Sequence, residues 1–239
     1  MRDVLSAEWL KIRTSRSTRF VLLAVIAIAL LGALLAYAWG QTWEAMSLES
    51  RGRLSDASIE DTTAPFLHFC LAVLGVLIVT GEYATGAIHT SLTVAPRRLS
   101  VLASKAVVVG VLALLSGLLV TFSTYLVSKD ILARRGFPGY ATPFAEELPS
   151  LVRASVVVMV VAIVGLGLGV VLRSTAGALS AIAALVFILP VLVGFLPAPW
   201  DDRIGQLMLP NMNHPLVVIG YVGAACGGAA VAILRRDVP

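Results

Sequence analysis

Along this chain apolar and polar positions separate into long blocks rather than alternating. Apolar runs free of Asp, Glu, Lys, Arg and His cover 20–39, 69–81, 106–128, 154–172, 174–200 and 215–234. A helix needs about 17–25 such residues to cross about 30 Å of hydrocarbon. Five of the runs meet this, and the second does once 64–68 is added. Because only helices or closed barrels satisfy their backbone inside lipid, the pattern predicts an all-α polytopic membrane protein. Its six transmembrane helices fall at about 20–39, 64–81, 106–128, 154–172, 174–196 and 215–234, in a single transmembrane domain over 1–239. The first run exceeds a typical signal-peptide core and lacks a small-residue cleavage pattern, so it reads as a span rather than a leader.

The segments between the runs carry their own signals. In "MRDVLSAEWLKIRTSRSTR", Leu5, Trp9 and Ile12 share one helical face, with Lys11 and Arg13 mostly elsewhere. A basic helix with an interfacial Trp lies in the headgroup plane, whereas an ordinary basic flank would explain the charges without the apolar stripe. The acidic 41–64 segment reads as a loop, with Pro65 in the first turn of the second span. Gly and Pro punctuation in "RRGFPGYATPFAEELP" marks the 129–150 connection as a loop. The turn after Leu172 is short enough to make spans four and five a helical hairpin, and Pro190 is placed to kink span five. Prolines frame 200–209, a stretch with room for one or two brief helices.

Composition agrees with the pattern: 58% of residues are hydrophobic, 13% are charged and mean hydropathy is +0.92. The net charge of +4 does not indicate nucleic acid, because the basic residues cluster beside the ends of the runs. With the N-terminus cytoplasmic, the inner segments hold eleven Lys and Arg against four Asp and Glu, and the outer segments seven against ten. By the positive-inside rule both termini are then cytoplasmic. Cys70 and Cys226 fall within runs and read as small packing residues without metal spacing.

Candidate chemistry is defined partly by what is missing. There is no phosphate-binding loop of the G-x-x-x-x-G-K-[ST] kind. Gly165-x-x-x-Gly169 and Gly223-x-x-x-Gly227 lie in apolar runs and read as faces for close helix packing. The runs hold no ionisable group of the kind that couples ion flow, and His68, His89 and His214 sit at or beyond run ends as interfacial residues. No nucleophile and base pair suggests catalysis, so the chain reads as a non-catalytic membrane protein that binds no cofactor or metal directly.

The segment after the second run stands apart. In "TGEYATGAIHTSLTVAPRR", taken as a helix, Ala84, Ile88, Leu92 and Ala95 form an apolar stripe, with Glu82, Thr85, His89, Thr93 and Arg97 facing elsewhere. Such a helix either rests on lipid or seats in a partner's groove. "GEYATGAIHTSLTVAPRR" resembles the coupling-helix segment of bacterial ABC-2-type transporter permeases, "GEYxxGTIRxxLxxxPRR", and "AEWLKIRTSRS" is similar to their N-terminal interface helix. The resemblance implies the ABC-2, type V exporter fold, with an interface helix over 1–19 and an amphipathic coupling helix between spans two and three. Carried over to this sequence, Glu82, Tyr83, Gly86, Ile88, Leu92, Pro96, Arg97 and Arg98 form the coupling element, with His89 where Arg is common. Leu5, Glu8, Trp9, Lys11, Ile12 and Arg13 belong to the interface helix. The resemblance further implies an exporter of a hydrophobic or amphipathic cargo in a bacterial inner membrane. It would work with two copies of a separate cytoplasmic ATPase, which hold ATP and magnesium, and as a dimer with a second permease copy or a paralogue. The other function left open by the residues is a membrane scaffold or sensor that recruits a cytoplasmic protein without transport.

Overall fold

The structure is a computed structural model that describes residues 9–11, 14–47, 51, 58–85, 98–209 and 215–235. Among these residues it is all helical. The long helices are α1 (Arg16–Ala45), α2 (Ile59–Thr85), α3 (Arg98–Ala133) and α4 (Phe144–Leu172). They are followed by α5 (Thr175–Ala183), a π-helical stretch (Ala184–Ile188), α6 (Leu189–Val193), α7 (Trp200–Gly205) and α8 (Pro215–Arg235). Counting α5 to α6 as one unit, five helices are long and apolar enough to cross a membrane. The sixth expected span corresponds to α8, whose apolar part, Leu216–Ala232, belongs to a shorter class.

The helices outrun the apolar blocks. At about 1.5 Å per residue, α3 with its 36 residues is about 54 Å long, well beyond the hydrocarbon thickness. The expected 129–150 loop is therefore mostly helical, apart from a tight reversal between α3 and α4. That reversal is a Schellman motif: Gly136 at φ 71° supplies the left-handed residue, its N–H donates to Ala133 O, and Phe137 N–H donates to Leu132 O. Phe137 is thereby turned onto Trp43, with ring centroids 4.5 Å apart. Likewise Pro65 is inside α2 rather than in its first turn, because the helix starts at Ile59. In the fifth span Pro190 cannot donate to the turn before it. The preceding turn widens to π geometry, with Leu189 N–H donating to Ala184 O, and the helix continues.

Burial places α4 at the centre. Val157, Val158, Val160, Val161, Val164 and Leu166 are all buried, more than one stripe of the helix, as expected of an element covered on several sides. It packs on α2, α3, α5 and α8. The contact with α2 is close because both helices present small residues. A Cβ on Gly165 would run into the Ala72 carbonyl and one on Gly75 into the Ala162 carbonyl, while one on Gly169 would lie 3.3 Å from Val76 O. Gly223 and Gly227 differ: a Cβ at either meets nothing within 4 Å. The close approach of α8 to α4 is made by Gly167 against Ala225.

Peripheral helices turn apolar side chains outward. Phe20, Leu23, Ile26, Leu30 and Leu34 are exposed on α1, and Ile188, Val191, Leu192 and Phe195 around α6. Surfaces of this kind are stable against lipid or another apolar partner. At the α1–α2 reversal end, Tyr140 is buried and bridges two elements: its hydroxyl accepts from Ile59 N–H (3.0 Å) and donates to Glu60 Oε2 (2.7 Å). His68, expected at a run end, lies within α2 and is only 3% exposed, buried against the neighbouring helices.

Candidate coupling site

The end of the bundle opposite Tyr140 gathers the last turn of α2, the first turns of α3, the α4–α5 turn and the N-terminal segment. Glu82 stands near the C-terminus of α2, where the negative end of the helix dipole disfavours a carboxylate unless cations offset it. Two lysines do so. Glu82 Oε1 accepts from Lys105 Nζ at 2.6 Å and from Lys11 Nζ at 3.2 Å. Lys105 is 5% exposed and Glu82 13%, whereas Lys11 is 48% exposed. Glu82 Oε2 is buried and has no hydrogen-bond partner among the described residues. A single carboxylate thus ties three parts of the chain, Lys11 before α1, α2 itself, and α3.

Beside it, Tyr83 lies under the Arg173 guanidinium, 5.5 Å from ring centroid to Cζ. Arg173 ends α4 in the left-handed conformation at φ 50°, its N–H donating to Gly169 O. Ser174 then caps α5 by accepting from Gly177 N–H. This tight turn is what carries the guanidinium to the end of α2. Among the described residues Lys11 and Lys105 thus meet on Glu82, with Arg173 on the adjacent Tyr83.

Of the residues expected to couple or to form the interface helix, Glu82 and Tyr83 are brought together here with Lys11. Trp9 is helical and 45% exposed, and Arg98 opens α3. Gly86, Ile88, His89, Leu92, Pro96 and Arg97 lie outside the described residues, as do Leu5, Glu8, Ile12 and Arg13. Sequence reasoning assigned Lys105 only a topological role and missed its pairing with Glu82, as it missed the pairing of Tyr83 with Arg173. The available signal was a lone acid and a lone base flanking the same connection, inside or beside runs that otherwise lack charge.

Comparison with known families decides what this bundle is. The family described as "ABC-2 family transporter protein" matches residues 4–195. The chain belongs to the ABC-2 transporter family. It is accordingly a multi-pass membrane protein and a permease component of an ABC transporter, a class that associates with an ABC ATPase. The matched region of this permease runs from the N-terminal segment through α6 and includes the Glu82 cluster. No curated protein matches the chain.

Proposed function

We propose that this permease is the membrane subunit of an ATP-driven exporter in a bacterial inner membrane, with both termini cytoplasmic. Two copies of a separate ATPase bind ATP and magnesium, and a second permease copy or a paralogue completes the pathway. The coupling element between Glu82 and Arg98 seats on the ATPase, and ATP-driven closure pushes it. The observation that carries this reading is the Glu82 cluster. The 86–97 connection leaves α2 at Thr85 and enters α3 at Arg98, and Glu82 grips both Lys105 and Lys11. A displacement of the connection is then delivered to α2, α3 and the N-terminal segment together. The apolar outer faces of α1 and α6 suit contact with lipid, with the second permease and with a hydrophobic or amphipathic cargo.

The test is copurification. The permease, expressed with the reading frames that neighbour its gene and extracted in detergent, is expected to retain a soluble ATPase. Ile88→Asp with Leu92→Asp is expected to insert normally and lose that ATPase and its stimulation. A chain that comes out alone, or a double variant that transports as well as the parent, refutes the lever and favours the scaffold.

A further inference from the structure

At the bundle end away from Glu82, α2, α3 and α4 splay to leave a cavity of about 500 Å³, within the range of small-molecule sites. Glu60, Ala64 and His68 recur every fourth residue on α2, so they line one face and spread over about 12 Å along the helix axis. Small residues, Ala64 on α2 and Ala154 on α4, leave the space between the acidic mouth and the histidine. Around the mouth stand Glu60, Asp61 and Glu147, with Arg153 the single Lys or Arg among the described residues on the wall.

Two features separate this from an ordinary acidic rim. His68 is 3% exposed, lines the cavity, and its Nδ1 has no hydrogen-bond partner among the described residues. Glu60 Oε1 is buried beside the Ser128 hydroxyl and makes no hydrogen bond of good geometry among the described residues, its other oxygen being taken by Tyr140. Buried polar atoms are normally satisfied. A carboxylate oxygen can only accept, and the ring nitrogen accepts when its proton is on Nε2, so both ask for a donor. The nearby Lys129 is engaged elsewhere, with the Thr142 carbonyl at 2.6 Å and the Tyr125 hydroxyl at 3.3 Å. Glu147 receives the Thr142 and Ser150 hydroxyls and keeps its charge facing the mouth.

We infer that this cavity binds an organic ammonium: a primary amine cation held by Glu60, Asp61 and Glu147, with its body reaching toward His68. The inference concerns a binding site within one chain and does not depend on the direction of transport or on the coupling reading.

The probe is monodansylcadaverine, a fluorophore on a primary-amine tether, titrated into the full-length protein in phosphatidylcholine nanodiscs. Its N-acetyl derivative, of nearly the same shape without the charge, reports partitioning into lipid. Saturable binding of the amine, roughly tenfold or more tighter than the acetylated form, is expected from charge-assisted hydrogen bonds. Asp61→Asn with Glu147→Gln should weaken it by a similar factor. Arg153→Gln, at an exposed position whose loss threatens no core packing, should tighten it severalfold by removing the opposing cation. Ala154→Leu should block it by filling the cavity. Equal affinity for the two probes, no saturable binding, or an Arg153→Gln variant that binds no more tightly overturns the proposal. Size-exclusion profiles and melting curves confirm that each variant is folded.

Discussion

Glu82→Gln removes the charge that Lys105 faces, and the structure sets the size of the effect. At 2.6 Å and an effective dielectric of ~20, the attraction is about 6 kcal/mol before desolvation. Both side chains are largely buried, and removing one charge of a buried pair is expected to destabilise by up to about 3–5 kcal/mol. The Lys11 pair adds little, because Lys11 is 48% exposed and such pairs contribute about 0–1 kcal/mol. Lys105→Met should cost less, about 1–3 kcal/mol, since Glu82 keeps Lys11 and its own route to water. The double variant leaves neither charge stranded and should return to within about 1 kcal/mol of the parent. The assay is denaturant unfolding in mixed micelles for the parent, both single variants and the double. Strong non-additivity is expected, whereas effects that sum to within about 0.5 kcal/mol would show the two groups to be energetically independent and refute the reading. If the cluster transmits motion as proposed, the folded double variant should still bind the ATPase yet show reduced stimulation.

Other consequences follow from the packing. Gly165→Ala drives a Cβ into the Ala72 carbonyl and should destabilise by about 1–3 kcal/mol or more. Gly223→Ala meets open space and should be neutral or gain up to about 1 kcal/mol of helix propensity; comparing melting temperatures of the two variants checks this. Tyr140→Phe strands the buried Glu60 carboxylate and the Ile59 N–H, an expected loss of about 2–3 kcal/mol in unfolding. Burial, then the neighbouring Glu60 charge, holds the Tyr140 phenol well above its ordinary range. Its contribution is therefore complete below pH ~10 and declines as pH rises further, so Tyr140→Phe should flatten the alkaline side of the stability profile. Pro190→Ala restores a donor after the π stretch, and hydrogen exchange of amides 184–190 should slow; unchanged exchange would mean that the widening has another cause.

The hydropathy blocks made the helical class and the positions of the long helices legible because lipid imposes a length and a composition on any span. They misplaced the ends for the same reason. A run is cut at its first charge, yet a helix continues through a charge that finds a partner. Lys105 marked the edge of a run at 106, but it lies inside α3 because Glu82 neutralises it. His68 likewise bounds the run at 69, although α2 begins at Ile59 and continues through it. Glycine spacing was equally ambiguous: Gly165 and Gly223 head the same four-residue motif, and only the rotation of α4 and α8 about their axes gives the first a backbone to pack on. The Glu82 cluster depends on that rotation too, since close contact of α2 with α4 fixes which side of α2 is left to face α3. Local sequence states which residues are costly to bury, and the tertiary register decides which of them meet; the exceptions to hydropathy, Glu82, Lys105 and His68, are therefore where this permease's chemistry should be sought.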